Sequence, residues 1–307
     1  MKLANKYFID YGDKIENTIF ISSMGRSGST WLSEIINYRN EYREIFEPIN
    51  SKMVPEFKNY KYIQYFRPDD KRTELVKPVK DLFTGKIRNL WSDKFNKKLI
   101  SNKRIIKDIR TNLLLGWMEK QFPNLPIILL FRHPLAVASS WREKGWGKEI
   151  KGDKRDLDII LSQKEIIKDY LQPYLDDIKE SFGTFYEFIY LWCILYFIPL
   201  RQLKKKNVHL VFYENLCQDS DNEISRLFKY LKKPFDPKIK NVMKKPSAMT
   251  GENSALNTGS DLVSGWREHV ADDEIEKSVQ ILKSFGLDNI YSTDSMPSKE
   301  TIIKYSE

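Results

Sequence analysis

The chain has 307 residues and a mass of 36.4 kDa, and 41% of its residues are hydrophobic, which predicts a folded core and excludes an intrinsically disordered chain. Its formal charge of +9 favours anionic ligands, although a genome rich in lysine and isoleucine codons would explain the surplus equally well. Because no basic tail concentrates this charge, the sequence does not indicate a nucleic-acid-binding protein.

The cysteines and the apolar runs bear on the compartment of the protein. Cys193 and Cys217 lack the spacing of a metal site, and their small number favours a reduced, cytoplasmic setting. Residues 1–14 contain no apolar core of the kind a signal peptide has. The longest apolar run, 188–200, has 13 residues, fewer than the ~20 that cross a bilayer. It therefore predicts a buried helix and no transmembrane segment.

Four short β-type runs, at 17–22, 103–109, 126–132 and 208–213, alternate with helical patterns along the chain. This alternation is typical of a three-layer αβα fold, in which helices cover both faces of a central parallel sheet. Ligands in such folds bind at the carboxyl ends of the strands. The residues that follow each run are therefore the candidates for a functional site.

Two charged segments, 51–100 and 144–182, lie between the β-type runs. Most segments of this composition are solvated surface, and the alternative is that they form the walls or a lid of a substrate cleft. We find no internal repeat, low-complexity tract or linker. The sequence therefore predicts one domain over residues 1–307, with these two segments as insertions.

The first β-type run leads into a Gly/Ser/Thr turn and a helical pattern, IFISSMGRSGSTWLSEI at 19–35. A strand, a glycine turn and a helix start together present backbone N–H groups and the positive end of a helix dipole to an anion. An ordinary turn capped by Ser29 or Thr30 is the alternative, but it leaves the two glycines and Arg26 without a reason. We therefore predict a P-loop-like anion site.

This turn departs from nucleotide-hydrolysing P-loops at one informative position. Aligned with G-x-x-x-x-G-K-[ST], the turn matches at Gly28 and Thr30, but Ser23 replaces the first glycine and Ser29 replaces the lysine that clamps the phosphates. The only acidic residue that follows a later strand as a magnesium partner is Asp108. The turn therefore favours a single phosphate-like group over a metal-bound triphosphate, and we predict no metal site.

A second anion site is predicted from FRHPLAVASSW, which follows the third β-type run. Arg132 ends the run, Pro134 is well suited to the first turn of a helix, and Ser140 lies eight residues after Arg132. A surface arginine beside a helix start is the alternative. The pairing with the first turn favours the anion site.

These motifs together resemble the sulfotransferase family, whose members transfer a sulfuryl group from 3′-phosphoadenosine-5′-phosphosulfate (PAPS). GRSGSTWL at 25–32 is similar to that family's 5′-phosphosulfate loop, in the arginine-containing form of the carbohydrate enzymes. Arg132 and Ser140 match its 3′-phosphate signature, with His133 in place of the usual Asn or Asp. The YENL segment at 213–216 and residues 258–270 resemble the adenine-binding and donor-covering segments, although Trp266 is equally suited to a core. The resemblance implies PAPS as donor, its product PAP, and donor contacts from Arg26, Ser27, Gly28, Ser29, Thr30, Trp31, Arg132, Ser140, Tyr213, Gly265, Trp266 and Arg267.

The resemblance also implies catalytic residues. The three histidines, at 133, 209 and 269, lie outside the region where the family's cytosolic enzymes carry a histidine base, and we interpret all three as structural. REIFEPIN at 43–50 is similar to the F-E-P segment of the carbohydrate enzymes, which makes Glu47 the candidate base and Glu44 its competitor.

The same resemblance extends to the groups that would stabilise the leaving oxygen. IIKDIR at 105–110 is similar to a K-x-x-R segment, so Lys107 and Arg26 are expected to neutralise the leaving group. Arg110 would contact the donor or an anionic acceptor. Because strand residues alternate, Asp108 is expected to face away from Lys107, in a structural ion pair.

The sequence as a whole therefore predicts a metal-independent sulfotransferase acting on a hydroxyl of a saccharide or glycan, which could be anionic. Three alternatives stay open: a sulfotransferase for a lipid or small alcohol, a P-loop kinase or NTPase, and a non-enzymatic anion-binding module. Ser29 in place of the P-loop lysine argues against the second. The sequence makes no prediction of the oligomeric state.

Overall fold

A computed structural model describes residues 6–72, 74–146, 155–203, 208–246, 248–249 and 261–300. The strands are β1 (Ile9–Asp10), β2 (Thr18–Ser23), β3 (Arg43–Phe46), β4 (Ile100–Ser101), β5 (Arg104–Asp108), β6 (Ile127–Phe131) and β7 (Val208–Phe212). The longer strands form a five-stranded sheet in the order β3-β5-β2-β6-β7, and every neighbouring pair is parallel. β1 and β4 form a separate two-stranded parallel sheet.

The α-helices are α1 (Ser29–Ile36), α2 (Val76–Phe83), α3 (Leu115–Gln121), α4 (Pro134–Lys144), α5 (Asp156–Leu161), α6 (Lys164–Ile166), α7 (Leu175–Glu180), α8 (Tyr186–Gln202), α9 (Tyr213–Gln218), α10 (Ser220–Tyr230), α11 (Ile239–Met243) and α12 (Asp272–Ser284). The apolar run at 188–200 lies in α8, as predicted, and is almost wholly buried. Among the described residues, no helix is both long enough and apolar enough to span a membrane.

Two hydrophobic cores flank the five-stranded sheet. Side chains of β6 alternate between them, with Ile127 and Leu129 in one core and Ile128 and Leu130 in the other. Residues of α1, α9, α10 and α11 complete the second core, and residues of α2, α3, α4, α8 and α12 contribute to the first. This arrangement confirms the predicted three-layer αβα fold.

All four β-type runs predicted from the sequence are strands, but β3 was not among them. Its four residues, REIF, include two charged side chains, and the pattern of a buried strand is absent. Both Arg43 and Glu44 are nevertheless buried. Their burial depends on partners elsewhere in the chain, which a local pattern does not reveal.

The two insertions are more closely packed than solvated surface would be. Residues 51–100 place Phe57, Tyr60, Phe66 and Phe83 in the larger core. In 144–182, helices α5 to α7 also contribute buried residues, while 147–154 lie outside the described residues. The first insertion is therefore not the solvated surface that most segments of this composition form, and the predicted role of both insertions as cleft walls or a lid stays a prediction.

Candidate active site

The carboxyl edge of the sheet gathers residues from all five strands. Across it, in spatial order, come Glu47 after β3, Lys107 in β5, the turn of residues 24–28 after β2, Arg132 after β6, and Tyr213 after β7. The strand order thus sets the predicted base at one end of this edge and the predicted adenine-pocket residue at the other. Parallel strands produce this clustering because all their carboxyl ends meet at one edge.

The turn between β2 and α1 has the backbone of an anion-binding loop. Arg26 and Gly28 both adopt the left-handed region, at φ of 70° and 87°. At Gly28 an added Cβ would lie 2.7 Å from the ring of Tyr213, so glycine is required there on two grounds. No side chain caps the first turn of α1, although Ser29 and Thr30 begin it. The N-cap residue is Gly28 and neither Ser29 nor Thr30, so the capped-turn alternative is wrong, and no side-chain cap of the α1 N-terminus is found among the described residues.

Helices α4 and α8, which lie on the face of the sheet opposite to α1, hold this turn in place. The Tyr196 hydroxyl of α8 accepts a hydrogen bond from the backbone N–H of Met24 at 3.1 Å. The indole N–H of Trp141 in α4 donates to the carbonyl of Gly25 at 3.0 Å. Both donors and acceptors are buried, so the backbone of the turn is fixed before any ligand binds.

The two predicted anion sites form one continuous cationic patch. Arg26 Nε donates to Ser140 Oγ at 3.0 Å, and Arg132 donates to the carbonyl of Arg26 at 2.8 Å. The Arg132 guanidinium lies 4.4 Å from the ring centre of Tyr213. Burial and the neighbouring Arg132 charge lower the pKa of Arg26. Two adjacent guanidinium groups repel each other, and an anion between them would relieve that repulsion.

Tyr213, the predicted adenine-pocket residue, and Trp31, a predicted donor contact, lie beside this patch. The rings of Trp31 and Tyr213 are 5.7 Å apart, and both side chains are buried. The indole N–H of Trp31 has no hydrogen-bond partner among the described residues, and neither does the buried Nε of Arg132. Buried donors are rarely left without a partner in proteins, so both positions are suited to a polar ligand.

The segment predicted to cover the donor, of which the structure describes residues 261–270, contacts the patch through His133. Trp266, in a 3₁₀ helix of residues 265–269, is buried and stacks on the His133 ring at 4.7 Å. Arg267 is exposed, and its guanidinium hydrogen-bonds Thr293 and Ser295 and lies 4.7 Å from the Trp266 ring. An added Cβ at Gly265 would meet no described atom within 4 Å, so its packing does not require glycine.

His133 has the surroundings of a structural residue. Its Nδ1 accepts from the backbone N–H of Leu135, capping α4, and its Nε2 lies 3.3 Å from the carbonyl of Ser292. Its own backbone N–H donates to Glu214 at 2.8 Å. Burial lowers the pKa of His133 to about 3, so the ring is neutral. His209 is likewise neutral, since burial lowers its pKa to about 3.

Glu47 is held between two cations at the carboxyl edge. Lys107 Nζ lies 2.7 Å from Oε1, and a terminal nitrogen of Arg110 lies 2.8 Å from Oε2. Burial opposes ionisation of Glu47, but the two cations outweigh it, and the pKa of Glu47 falls below its ordinary value. Burial also lowers the pKa of Lys107, partly offset by Glu47. The carboxylate is thus ionised and held in place by both cations, and Glu47 is 6% exposed.

Comparison with known proteins identifies the family of the chain. The family described as "Sulfotransferase domain" matches residues 16–282, which include all five strands of the main sheet and every residue of the edge. The chain belongs to the sulfotransferase family. It is therefore a transferase, and its edge residues are the candidates for sulfuryl transfer.

Several solved sulfotransferase structures are similar to this one. They include STF9 of Mycobacterium avium, at 10% identity and a TM-score of 0.47, covering 93% of this chain and 79% of that one. The sulfotransferase domain from the curacin biosynthetic pathway has 16% identity and a TM-score of 0.44, covering 86% and 96%. A mouse sulfotransferase complexed with PAP has 12% identity and a TM-score of 0.44, covering 92% and 86%. Comparison with curated proteins gives no match.

The first insertion of this sulfotransferase borders the Glu47 cluster. The Tyr62 ring lies 5.4 Å from the Arg110 guanidinium, and the Tyr60 hydroxyl donates to the Arg110 carbonyl at 2.7 Å. The Lys94 ammonium lies 3.7 Å from the Trp91 ring. Sequence reasoning did not single out these residues, because no motif marks them. Their only signal is the lysine- and aromatic-rich composition of 51–100.

The structure also locates two acidic side chains near the site, Asp108 and Glu44. Asp108 was expected in an ion pair, but its carboxylate accepts from the backbone N–H groups of Ile49 and Arg110. Glu44, the competing base, is buried on the α1 face of the sheet, where burial and then the charge of Glu34 raise its pKa to about 7. In the sulfotransferase, Glu44 thus lies within β3, whereas Glu47 follows β3 at the carboxyl edge.

Proposed function

We propose that this sulfotransferase uses PAPS as donor and transfers the sulfuryl group to a hydroxyl of a saccharide or glycan. The observation that carries the proposal is the Glu47 carboxylate, held ionised by Lys107 and Arg110 at the same sheet edge as the anion-binding turn. A base, a cation for the leaving oxygen and a phosphate site at one edge are the parts that sulfuryl transfer requires.

Hydrogen-bonding groups of the patch that lack a partner support the donor assignment. In the proposal, the turn and the start of α1 hold the 5′-phosphosulfate, and Arg132 with Ser140 holds the 3′-phosphate. The buried Nε of Arg132, without a described partner, and the adjacent Arg26 guanidinium support an anion there. Trp31 and Tyr213 would flank the adenine, and Gly265, Trp266 and Arg267 would cover the donor.

The reaction follows from the position of Glu47. The acceptor oxygen attacks sulfur and loses its proton to the Glu47 carboxylate, while the bond between sulfur and the bridging oxygen breaks. Its electron pair stays on the bridging oxygen, which leaves with PAP. Lys107 is the cation next to Glu47 and would stabilise that oxygen, with Arg26 assisting from the turn. No step requires a metal ion.

The acceptor side of the proposal rests on the residues around Arg110. Tyr62 and Lys94 of the first insertion combine aromatic and charged surface, which favours a polar, polyhydroxylated acceptor over a long alkyl chain. Trp146, 42% exposed, lies 6.0 Å from the Arg26 guanidinium and adds a further aromatic surface. A lipid or small alcohol is the alternative acceptor. The single domain over 1–307 and the cytoplasmic setting, with Cys193 and Cys217 unpaired, complete the proposal.

Calorimetry tests the donor. We expect PAP to bind equally well with magnesium and with EDTA, and ATP with magnesium to bind weakly. Arg132→Met should weaken PAP more than AMP, which lacks the 3′-phosphate. Arg39→Met, at an exposed arginine paired with Asp236, is the matched control. Tight binding of magnesium–ATP without binding of PAP would contradict the proposal.

Sulfur-labelled PAPS tests the acceptor. The panel comprises p-nitrophenyl hexosides, a long-chain alcohol and 2-naphthol, each with a free hydroxyl. We expect the hexosides to be sulfated fastest. Sulfation of the long-chain alcohol alone would favour the lipid alternative, and no sulfation of any hydroxyl with intact PAP binding would favour an anion-binding module.

A further inference from the structure

Asp108 is a buried carboxylate that the proposed reaction does not use. It is the last residue of β5 and is 0% exposed. Its Oδ2 accepts the backbone N–H of Ile49 at 2.9 Å, and its Oδ1 accepts the backbone N–H of Arg110 at 2.8 Å. Burying a carboxylate is costly unless it is well compensated, and these two bonds, together with the charge of the nearby Arg110 guanidinium, offset that cost.

The two bonded amides belong to the two chain segments that meet at the candidate base. Ile49 follows Glu47 by two residues, and Arg110 carries the guanidinium that binds Glu47 Oε2. Asp108 therefore ties together the segment that carries the base and the segment that carries its cation. The carboxylate has one oxygen for each, whereas an amide of the same shape would present one oxygen and one N–H₂ group.

The backbone at Glu47 needs such support. Glu47 has a φ of 43°, in the left-handed region, which residues other than glycine adopt only at an energetic cost. Its backbone N–H donates to the carbonyl of Lys107 at 2.7 Å, which fixes the chain on one side of Pro48. The bond from Ile49 to Asp108 fixes it on the other side. Strain of this kind persists only where the surroundings determine the conformation.

We propose that Asp108 is a positioning residue for the reaction: its carboxylate sets the Glu47–Arg110 pair in the geometry in which Glu47 takes the acceptor proton. The inference rests on the proposed role of Glu47. Asp108 itself is too deeply buried to touch a substrate, so it acts through the two backbone amides. A misplacement of a catalytic group by about 1 Å can cost up to roughly a hundredfold in rate.

Asp10 provides a matched control at the other end of β5. It is a buried aspartate that bridges Arg43 and Arg104, far along the strands from the carboxyl edge. Asp10→Asn removes the same charge as Asp108→Asn and should lower the midpoint of thermal unfolding. It should leave turnover per folded molecule within about twofold of the wild type, since it bonds no segment of the site.

A double-mutant cycle with Glu47→Gln and Asp108→Asn tests the proposal. The measurements are the turnover of the hexoside or other panel acceptor that the wild type sulfates fastest, and the affinity for PAP. We expect Asp108→Asn to lower kcat by about tenfold or more with unchanged PAP affinity. In the Glu47→Gln background the same change should add less than about twofold, because residues that act as a unit are not additive.

Each other outcome of the cycle identifies what fails. Wild-type kcat in Asp108→Asn, or a full additive loss on top of Glu47→Gln, would overturn the positioning role. If Asp108→Asn loses PAP binding, Asp108→Ser, whose hydroxyl accepts one of the two bonds, replaces it. Loss of PAP binding in both variants would show a role in the fold alone and overturn the proposal. Wild-type turnover in Glu47→Gln alone would instead refute the base, and with it the proposed mechanism, while PAP binding still tests the donor.

Discussion

The amino and carboxyl ends of strands β3 and β5 each carry a buried carboxylate that bridges two cations, and the two clusters differ in what surrounds them. At the amino ends, Asp10 binds Arg43 at 3.0 Å and Arg104 at 2.9 Å, with side chains that are 0–1% exposed. Backbone carbonyls take up further donors, from Arg43 to Gly85 and from Arg104 to Phe83. This cluster is closed to any ligand.

In the cluster at the carboxyl ends, only some of the hydrogen-bond donors have a partner among the described residues. The side chains of Glu47, Lys107 and Arg110 are 7–14% exposed. Among the described residues, the Lys107 and Arg110 side chains hydrogen-bond Glu47 alone, although an ammonium has three N–H donors and a guanidinium five. Buried charge therefore does not by itself mark a functional site. Donors left unfilled and a strained backbone distinguish the carboxyl cluster.

The amino cluster should carry the larger share of stability. Arg43→Met leaves Asp10 and Asp93 buried without this cation, and removing one partner of a buried pair costs about 3–5 kcal/mol. We expect that loss in urea-induced unfolding, with turnover per folded molecule unchanged. A loss below about 1 kcal/mol, within the range of an exposed pair, would remove the distinction between the two ends.

The carboxyl cluster should carry the larger share of activity. Glu47→Gln keeps the shape of the side chain but removes the proton acceptor, so kcat should fall by a factor on the order of 10² or more. PAP affinity, measured by calorimetry, should stay within about twofold, because the donor patch is centred on other strands. Asp93→Asn, at a buried aspartate that binds Arg43, is a control for general loss of packing. A smaller fall for Glu47→Gln than for this control would contradict the assignment.

Arg110 should tune the pH dependence of the carboxyl cluster. In the folded protein the Lys107 and Arg110 charges outweigh burial and lower the pKa of Glu47, so the Glu47 carboxylate stays ionised as the pH falls towards the ordinary carboxyl range. Arg110→Gln removes one of these charges and should move the acidic limb of kcat/KM to higher pH. Arg110→Lys, which keeps the charge, should lie between this variant and the wild type. An unmoved limb in Arg110→Gln would show that Arg110 does not act on Glu47.

Much of this edge could be predicted from local sequence, because its geometry is local. A strand, the turn around Gly28 and the start of α1 are consecutive, and Arg132 follows β6 two residues before Pro134 opens α4. Apolar runs located the four strands that carry most of these residues. The parallel order of the strands then brings the ends together without further information.

The remainder depends on contacts between distant parts of the chain. β3 is a strand because Arg43 finds Asp10 and Asp93, which are 33 and 50 residues away in sequence. Tyr62 reaches Arg110 only after the first insertion has packed its aromatic residues into the core. The bonding of Asp108 was predicted wrongly, since nothing in the local pattern distinguishes an ion pair from two backbone amides.

Glu44 tests whether activity depends on the carboxyl cluster alone, because it lies in β3 between the two clusters. Its pKa of about 7 is close to the working pH of a general base, whereas Glu47 is the residue at the edge.

The raised pKa of Glu44 means that the folded state favours the protonated carboxyl. The stability that this protonation contributes is therefore full below about pH 4.5 and is lost as the pH rises through about 7. Glu44→Gln, which cannot ionise, should therefore gain stability over the wild type between pH 5 and pH 8, measured by thermal unfolding. Its kcat should stay within about twofold. A flat stability difference would show that Glu44 does not titrate in this range, and a hundredfold loss of kcat would transfer the role of base from the edge to the interior of the sheet.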